Sequence, residues 1–154
     1  MTISRRHFVA GSLAFTGLAI SGHRSAEARG VFFEARGKAI RGYDTVAYFK
    51  AGKPVKGRNQ FQTDWNGTTW LFSSEENLQA FKSSPNRFAP QYGGYCAWAM
   101  VNGDIASIVP EAWDIVDGKL YLNFSLGVRR RWRRDIPRHI RLADGRWPRV
   151  RQSL

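Results

Sequence analysis

Two Asx-Gly dipeptides, each set between alternating segments, most constrain this chain. Phe61-Gln62-Thr63-Asp64-Trp65 alternates, turns at Asn66-Gly67, and alternates again through Trp70 and Phe72. Asn-Gly tolerates positive φ at both central positions, as a two-residue hairpin turn requires, so the pattern predicts a β-hairpin. A second is predicted where Trp113-Asp114-Ile115-Val116 meets Asp117-Gly118 and then Lys119 to Phe124. Short helices fit between and around them. Gly42 to Phe49 reads as one, capped by Asp44 and stopped by Gly52 and Pro54. Ser73/Ser74 opens another with acids in its first turn, Leu78 and Phe81 inward, and an end before Pro85. Two basic helical segments, broken near Pro137, finish the chain. The expected class is α+β: a small antiparallel sheet of hairpins packed with short helices, followed by basic C-terminal helices.

The first 28 residues read differently. Arg5 and Arg6 precede an apolar run from Phe8 to Gly22, and a small-residue site follows at Ala26-Glu27-Ala28. Basic region, apolar region and cleavage site together make a secretory signal peptide. The run falls short of the ~20 residues a membrane span needs. Arg5-Arg6 followed by Phe8 is similar to a twin-arginine export signal. The alternative is an uncleaved anchor helix. Export to the periplasm or beyond, with cleavage near Ala28 and no span left in the mature chain, is the expectation. Residues 29–154 then form a single domain, with a core over 39–124 and a basic tail over 125–154. One cysteine allows no internal disulfide, even in an oxidising compartment.

The formal net charge of +12 is concentrated in that tail. From Ser125 onward ten arginines face two aspartates, a net of +8, whereas Arg29 to Phe124 carries only +2. Trp132, Ile136 and Ile140 recur at i, i+4, i+8 and predict one apolar stripe among the arginines. The tail could simply dock by that stripe with its arginines in water. It could also hold an anionic lipid surface or an acidic protein through Arg129, Arg130, Arg131, Arg133 and Arg134. Nucleic acid ranks last, because export removes it from reach.

Several separated segments, in order, carry a resemblance. IRGYDTVAYFKAGKPVKG, WLFSSEENLQAFKSSPNRFAPQYGGYCAWAM, AWDIVDGKLYLNFS, WRRDIP and ADGRWP resemble the exported YHS-domain proteins of bacteria, from about Ala39 to Pro148. Shorter YHS domains, in heavy-metal-transporting ATPases and some oxygenase components, are regarded as metal-binding modules. Their cysteines lie in a D-P-V-C segment and an F-C-S-x-x-C segment. Carried over, those positions fall on Ala47, Ser73 and Asn77, so every one of those thiols is absent here. The frame of Phe72, Ser74, Phe81, Pro85 and Phe88 remains.

A metal site would have to be rebuilt from other donors. With His7 and His23 in the leader, Cys96, Met100 and His139 are the mature chain's thiol, thioether and imidazole. If Tyr95 to Val101 is helical, Cys96 and Met100 share one face. Such soft ligands favour copper(I) over zinc, which would want four ligands. Core packing is the competing reading, since free cysteine and methionine behave as adaptable apolar side chains. A third makes Cys96 a nucleophile behind Gly93-Gly94, with His139 as base and Asp44 or Asp114 orienting it. Aromatic density suggests a ligand pocket as well, with Tyr43, Asp44, Tyr92 and Tyr95 in its wall, against the alternative of an aromatic core. The favoured function is an exported, non-catalytic binding module for a soft metal ion, copper foremost, or for a small ligand. A thiol-dependent enzyme and a membrane-surface or protein-interaction module acting through the tail are the alternatives.

Overall fold

The computed structural model describes residues 30–154, so the expected leader and its Arg5-Arg6 pair lie outside the described residues. Both expected hairpins form, each with a two-residue turn. β3 (Arg58–Trp65) pairs antiparallel with β4 (Thr68–Phe72), closing at Trp65 opposite Thr68. β5 (Val109–Val116) pairs antiparallel with β6 (Lys119–Asn123), closing at Val116 opposite Lys119. Asn66 and Gly67 have φ of 49° and 77°, and Asp117 and Gly118 have 50° and 70°, the left-handed geometry those turns demand. A smaller hairpin joins β1 (Glu34–Ala35) to β2 (Lys38–Ala39). The fold is α+β, with three separate two-stranded ladders instead of one shared sheet.

The helices start where their capping residues sit. Asp44 caps α1 (Thr45–Lys50) and Ser74 caps α2 (Glu75–Ser83), each accepting from backbone N–H groups of the first turn. Two short helices follow, α3 (Pro85–Phe88) and α4 (Ala97–Met100). The tail folds as α5 (Leu126–Trp132), capped by Ser125, then a 3-10 turn over Arg133–Asp135, then α6 (Ile136–Gln152) with Asp135 as cap. The break falls just before Pro137, whose missing N–H is no loss in a helix's first turn.

Two clusters divide the core. One gathers Trp70, Phe72, Phe81 and Phe32 between α2 and the β3–β4 hairpin, with Trp70 and Phe81 stacked at 5.1 Å. The other gathers Tyr92, Met100, Tyr121 and Trp132 beneath the tail, where Trp132 is sealed against Tyr121 at 5.3 Å. The apolar stripe of the tail therefore docks: Trp132, Ile136 and Ile140 all pack there, joined by Ala143 and Val150.

The two halves meet at a pair of left-handed tripeptides. Ile40, Arg41 and Gly42 have φ of 48°, 57° and 76°, and Tyr92, Gly93 and Gly94 have 54°, 61° and 80°. The segment before β1 runs between them, with the Phe33 N–H donating to the Gly93 carbonyl at 2.8 Å and the Ile40 N–H to the Phe33 carbonyl at 3.0 Å. A Cβ on Gly93 would collide with the Val31 carbonyl, and one on Gly94 with Ile40 Cδ1. The Gly-Gly pair thus lets backbone approach backbone. Gly94→Ala should combine a left-handed penalty with overpacking, together about 3 kcal/mol in urea unfolding. Gly118→Ala, equally left-handed but with open space around it, should cost only about 1–2 kcal/mol.

Candidate functional site

Three elements converge on one carboxylate. Asp44 is fully buried, and its Oδ1 accepts from the N–H of Val46 at 2.9 Å and of Ala47 at 3.2 Å. Its Oδ2 accepts from the Ser73 N–H at 2.8 Å, the Ser73 hydroxyl at 2.6 Å and the Asn77 amide at 2.7 Å. Ala47, Ser73 and Asn77 are the positions that by resemblance would carry thiols. They do come together in space, and a knot of hydrogen bonds fills the place. With five donors on two oxygens, the carboxylate has its acceptor capacity engaged, as a buried polar group must.

The soft donors fall in different settings. Cys96 is buried at the start of α4, where its sulfur accepts from the Phe124 N–H at 3.3 Å and lies 3.8 Å from Asn123 Oδ1. Asn123 Oδ1 also accepts from the Trp98 N–H at 3.2 Å, so Cys96 and Asn123 together tie α4 to the end of β6. Because α4 begins at Ala97, Cys96 is its cap and not a member of its face. The thiol joins one core cluster and the Met100 thioether the other. His139 sits on the tail, its Nδ1 meeting the Trp132 carbonyl at 2.7 Å and its ring edge on Trp98 at 5.0 Å. Among the described residues no group of three or more His, Cys, Asp or Glu gathers in the way a metal ion needs. The enzymatic arrangement fares no better. Asp44 is committed to the knot and Asp114 to arginines, so neither orients His139.

The four residues expected to share a pocket wall do not share one. Asp44 is sealed inside. Tyr95 is buried and donates to the Gly30 carbonyl at 2.9 Å, tying down the chain before β1. Tyr92 donates to Asp144 Oδ1 at 2.8 Å, tying α6 to the body. Burial first, and then that hydrogen bond, raises the Tyr92 phenol well above its ordinary range. Tyr43 lines a cleft of about 700 Å³ between the β1–β2 hairpin and the loop before β3, and Tyr95 lines a different one of about 740 Å³.

The tail arginines divide into two sets. Asp114, buried on β5, accepts a fork from Arg129 at 2.8 and 2.9 Å and forms an ion pair with Arg133 at 2.9 Å. That fork raises the Arg129 pKa further and fixes the guanidinium inward, so these two of the five expected contact residues serve the fold. Their four-residue spacing, one face of a helix, was the available signal for a shared partner. The tail's own acids are engaged as well: Asp135 caps α6 and Asp144 accepts from Tyr92. Arg130, Arg131, Arg134, Arg138, Arg141, Arg149 and Arg151 are exposed, with no ion pair among the described residues. Beside them Phe124 and Leu126 stand 52% and 50% exposed. Leu126 and Arg130, four apart on α5, share a stripe. Sequence reading missed Phe124 and Leu126, since their alternation and spacing look like those of core positions.

Residues 46–92 match the family model of the YHS domain, a family often linked to the handling of metals, copper in particular. That segment runs from α1 to the second left-handed tripeptide and contains Ala47, Ser73 and Asn77. No curated protein and no solved structure gives a significant match to the chain.

Removal of the central carboxylate should be costly. Asp44→Ala leaves donors of α1, of α2 and of Ser73, just past β4, unpaired and should lower stability by about 3 kcal/mol or more. Asp64→Ala, on an exposed strand position where the side chain accepts from the Thr69 hydroxyl, should stay within about 0.5 kcal/mol by the same urea titration. The Cys96 thiol should react with a disulfide reagent slowly in the folded protein and at once after unfolding; fast reaction in the native state would contradict its burial.

Proposed function

We propose that this chain is an exported, non-catalytic binding module built around a YHS domain, and that its arginine face seats it on an anionic lipid surface. One observation carries the reading. Every acid of the tail, and Asp114 beneath it, is engaged internally, while seven arginines are left outward beside two half-exposed apolar side chains. A helix docked only for stability would gain nothing from that imbalance, because unpaired like charges repel one another. Basic residues near a negative membrane surface contribute about 1 kcal/mol each. Three or four engaged at once would strengthen binding by a factor on the order of 10²–10³. Phe124 and Leu126 supply apolar area that can enter the headgroup layer. Export by the leader would bring the protein to a membrane surface, and the leader's features support that location.

Copper carriage, which the family link suggests, finds no support in the donor set. The three family thiol positions hold Ala47, Ser73 and Asn77, and the remaining sulfurs belong to different core clusters. Elemental analysis of protein from the exported fraction should find no stoichiometric copper, and Cys96→Ala should leave metal content unchanged. Stoichiometric copper lost in Cys96→Ala would reinstate the metal reading.

Vesicle co-sedimentation tests the arginine face. The protein should bind vesicles containing phosphatidylglycerol and not neutral phosphatidylcholine vesicles, and high salt should release it. Neutralising Arg130, Arg131 and Arg134 together as glutamine should weaken binding by at least about tenfold without unfolding the protein, because none of the three has an ion pair among the described residues. Equal binding to neutral vesicles, or an unaffected triple variant, would overturn the reading; binding to acidic protein alone would replace lipid with a protein partner.

A further inference from the structure

A second cationic feature lies away from the tail, in the cleft that Tyr43 faces. Its volume of about 700 Å³ lies within the range of small-molecule sites and well above what a single inorganic ion needs. Arg36, Lys38, Arg41 and Lys56 line it together with Tyr43 and Asn59, and among the described residues no Asp or Glu does. Of the acids next in sequence to the lining, Glu34 lines a different cleft, Asp44 is held in its knot, and Glu111, beside Pro110, is exposed but not part of the lining.

These cations are placed, not merely present. Arg41 donates from Nε to the Ile108 carbonyl at 2.8 Å, and its guanidinium lies 5.8 Å from the Phe33 ring centre. That leaves the two terminal nitrogens of the fork without an acceptor among the described residues. Lys56 rests its ammonium over the Tyr43 ring at 5.5 Å, and Lys38 donates to Gln62 at 3.3 Å. Arg36 and Arg41 both stand on left-handed backbone, with φ of 55° and 57°. A non-glycine residue there costs about 1–2 kcal/mol, and such strain persists where the surroundings enforce it, often at binding sites. Four cations around one opening with no carboxylate among them repel one another until an anion arrives.

We propose that this cleft binds a small phosphate ester. The phosphate would take the free edge of the Arg41 fork, which matches its oxygens in pairs, with Lys38, Lys56 and Arg36 as surrounding point charges. The organic body of the ester would lie along the Tyr43 ring, which explains a cleft larger than an ion. The same chemistry could come from a lipid headgroup, so the source has to be separated from the group.

Titration with phenyl phosphate, inorganic phosphate and benzyl alcohol, followed by amide chemical shifts, makes the test. Phenyl phosphate should bind with shifts centred on residues 36–43 and 56–59, inorganic phosphate more weakly, and benzyl alcohol not at all. Arg41→Met and, separately, Lys56→Met should each weaken phenyl phosphate by at least about tenfold. Both variants should still bind phosphatidylglycerol vesicles as the unaltered protein does, and neutralising Arg130, Arg131 and Arg134 should leave phenyl phosphate binding intact. Lys56 is exposed, so its variant keeps the test valid should Arg41→Met disturb the strained turn. Absence of phenyl phosphate binding at millimolar concentration, or indifference to both variants, would overturn the proposal. Loss of vesicle binding in Arg41→Met or Lys56→Met would overturn the free ester in favour of a lipid headgroup.

Discussion

The carboxylate of Asp44 is the constraint on which the first half of the molecule depends. A buried acid is unfavourable unless its oxygens are satisfied, and here five donors from three elements satisfy them. That requirement sets the start of α1, the end of β4 and the first turn of α2 relative to one another. The first core cluster then closes around the hairpin so placed. Asp114 does a similar task in the second half, where two arginines four residues apart bind one buried acid and pin α5 to β5. Two acids, one in each half, decide how helices sit on hairpins.

The Asp44 knot also bears on chemistry. Where metal-binding relatives of this domain are expected to carry thiols, the chain carries a methyl group, a hydroxyl and an amide, and the last two complete a network of neutral donors around one acid. The three positions that by resemblance would carry thiols here serve the structure instead. A metal ion entering there would need Asp44 to release bonds that hold three elements, and hard hydroxyl and amide donors would replace soft thiolates.

Much of the fold was legible in local chemistry. Asn66-Gly67 and Asp117-Gly118 can turn only in ways that suit hairpins, and Asp44, Ser74 and Pro85 mark helix boundaries by what their side chains accept or lack. What could not be read were pairings across long stretches of chain. Nothing local joins Asp44 to Ser73 and Asn77, or Asp114 to Arg129 and Arg133. The same holds for the candidate site. Cys96 and Met100 look like neighbours on one helical face until Cys96 proves to be a cap, and Tyr43, Tyr92 and Tyr95 look like one wall until each hydroxyl or ring finds a separate setting. The Ile40-Arg41-Gly42 turn, with two left-handed residues that are not glycine, leaves no signature in sequence, because its geometry is enforced by the packing of Gly94 and Phe33 around it.

The burial of Trp132 reaches beyond the tail itself. Tyr92 closes the family-matched segment, yet it packs in one cluster with Tyr121, Trp132, Ala143 and Val150. The unit that folds cooperatively is therefore longer than the domain by which the chain is recognised. A chain ending with β6 would bare the aromatic floor on which α5 and α6 rest, and an isolated 46–92 segment would lack half of its hydrophobic surroundings. Here the C-terminal helices are a wall of the house, and any transplant of this domain into another protein would have to carry them along.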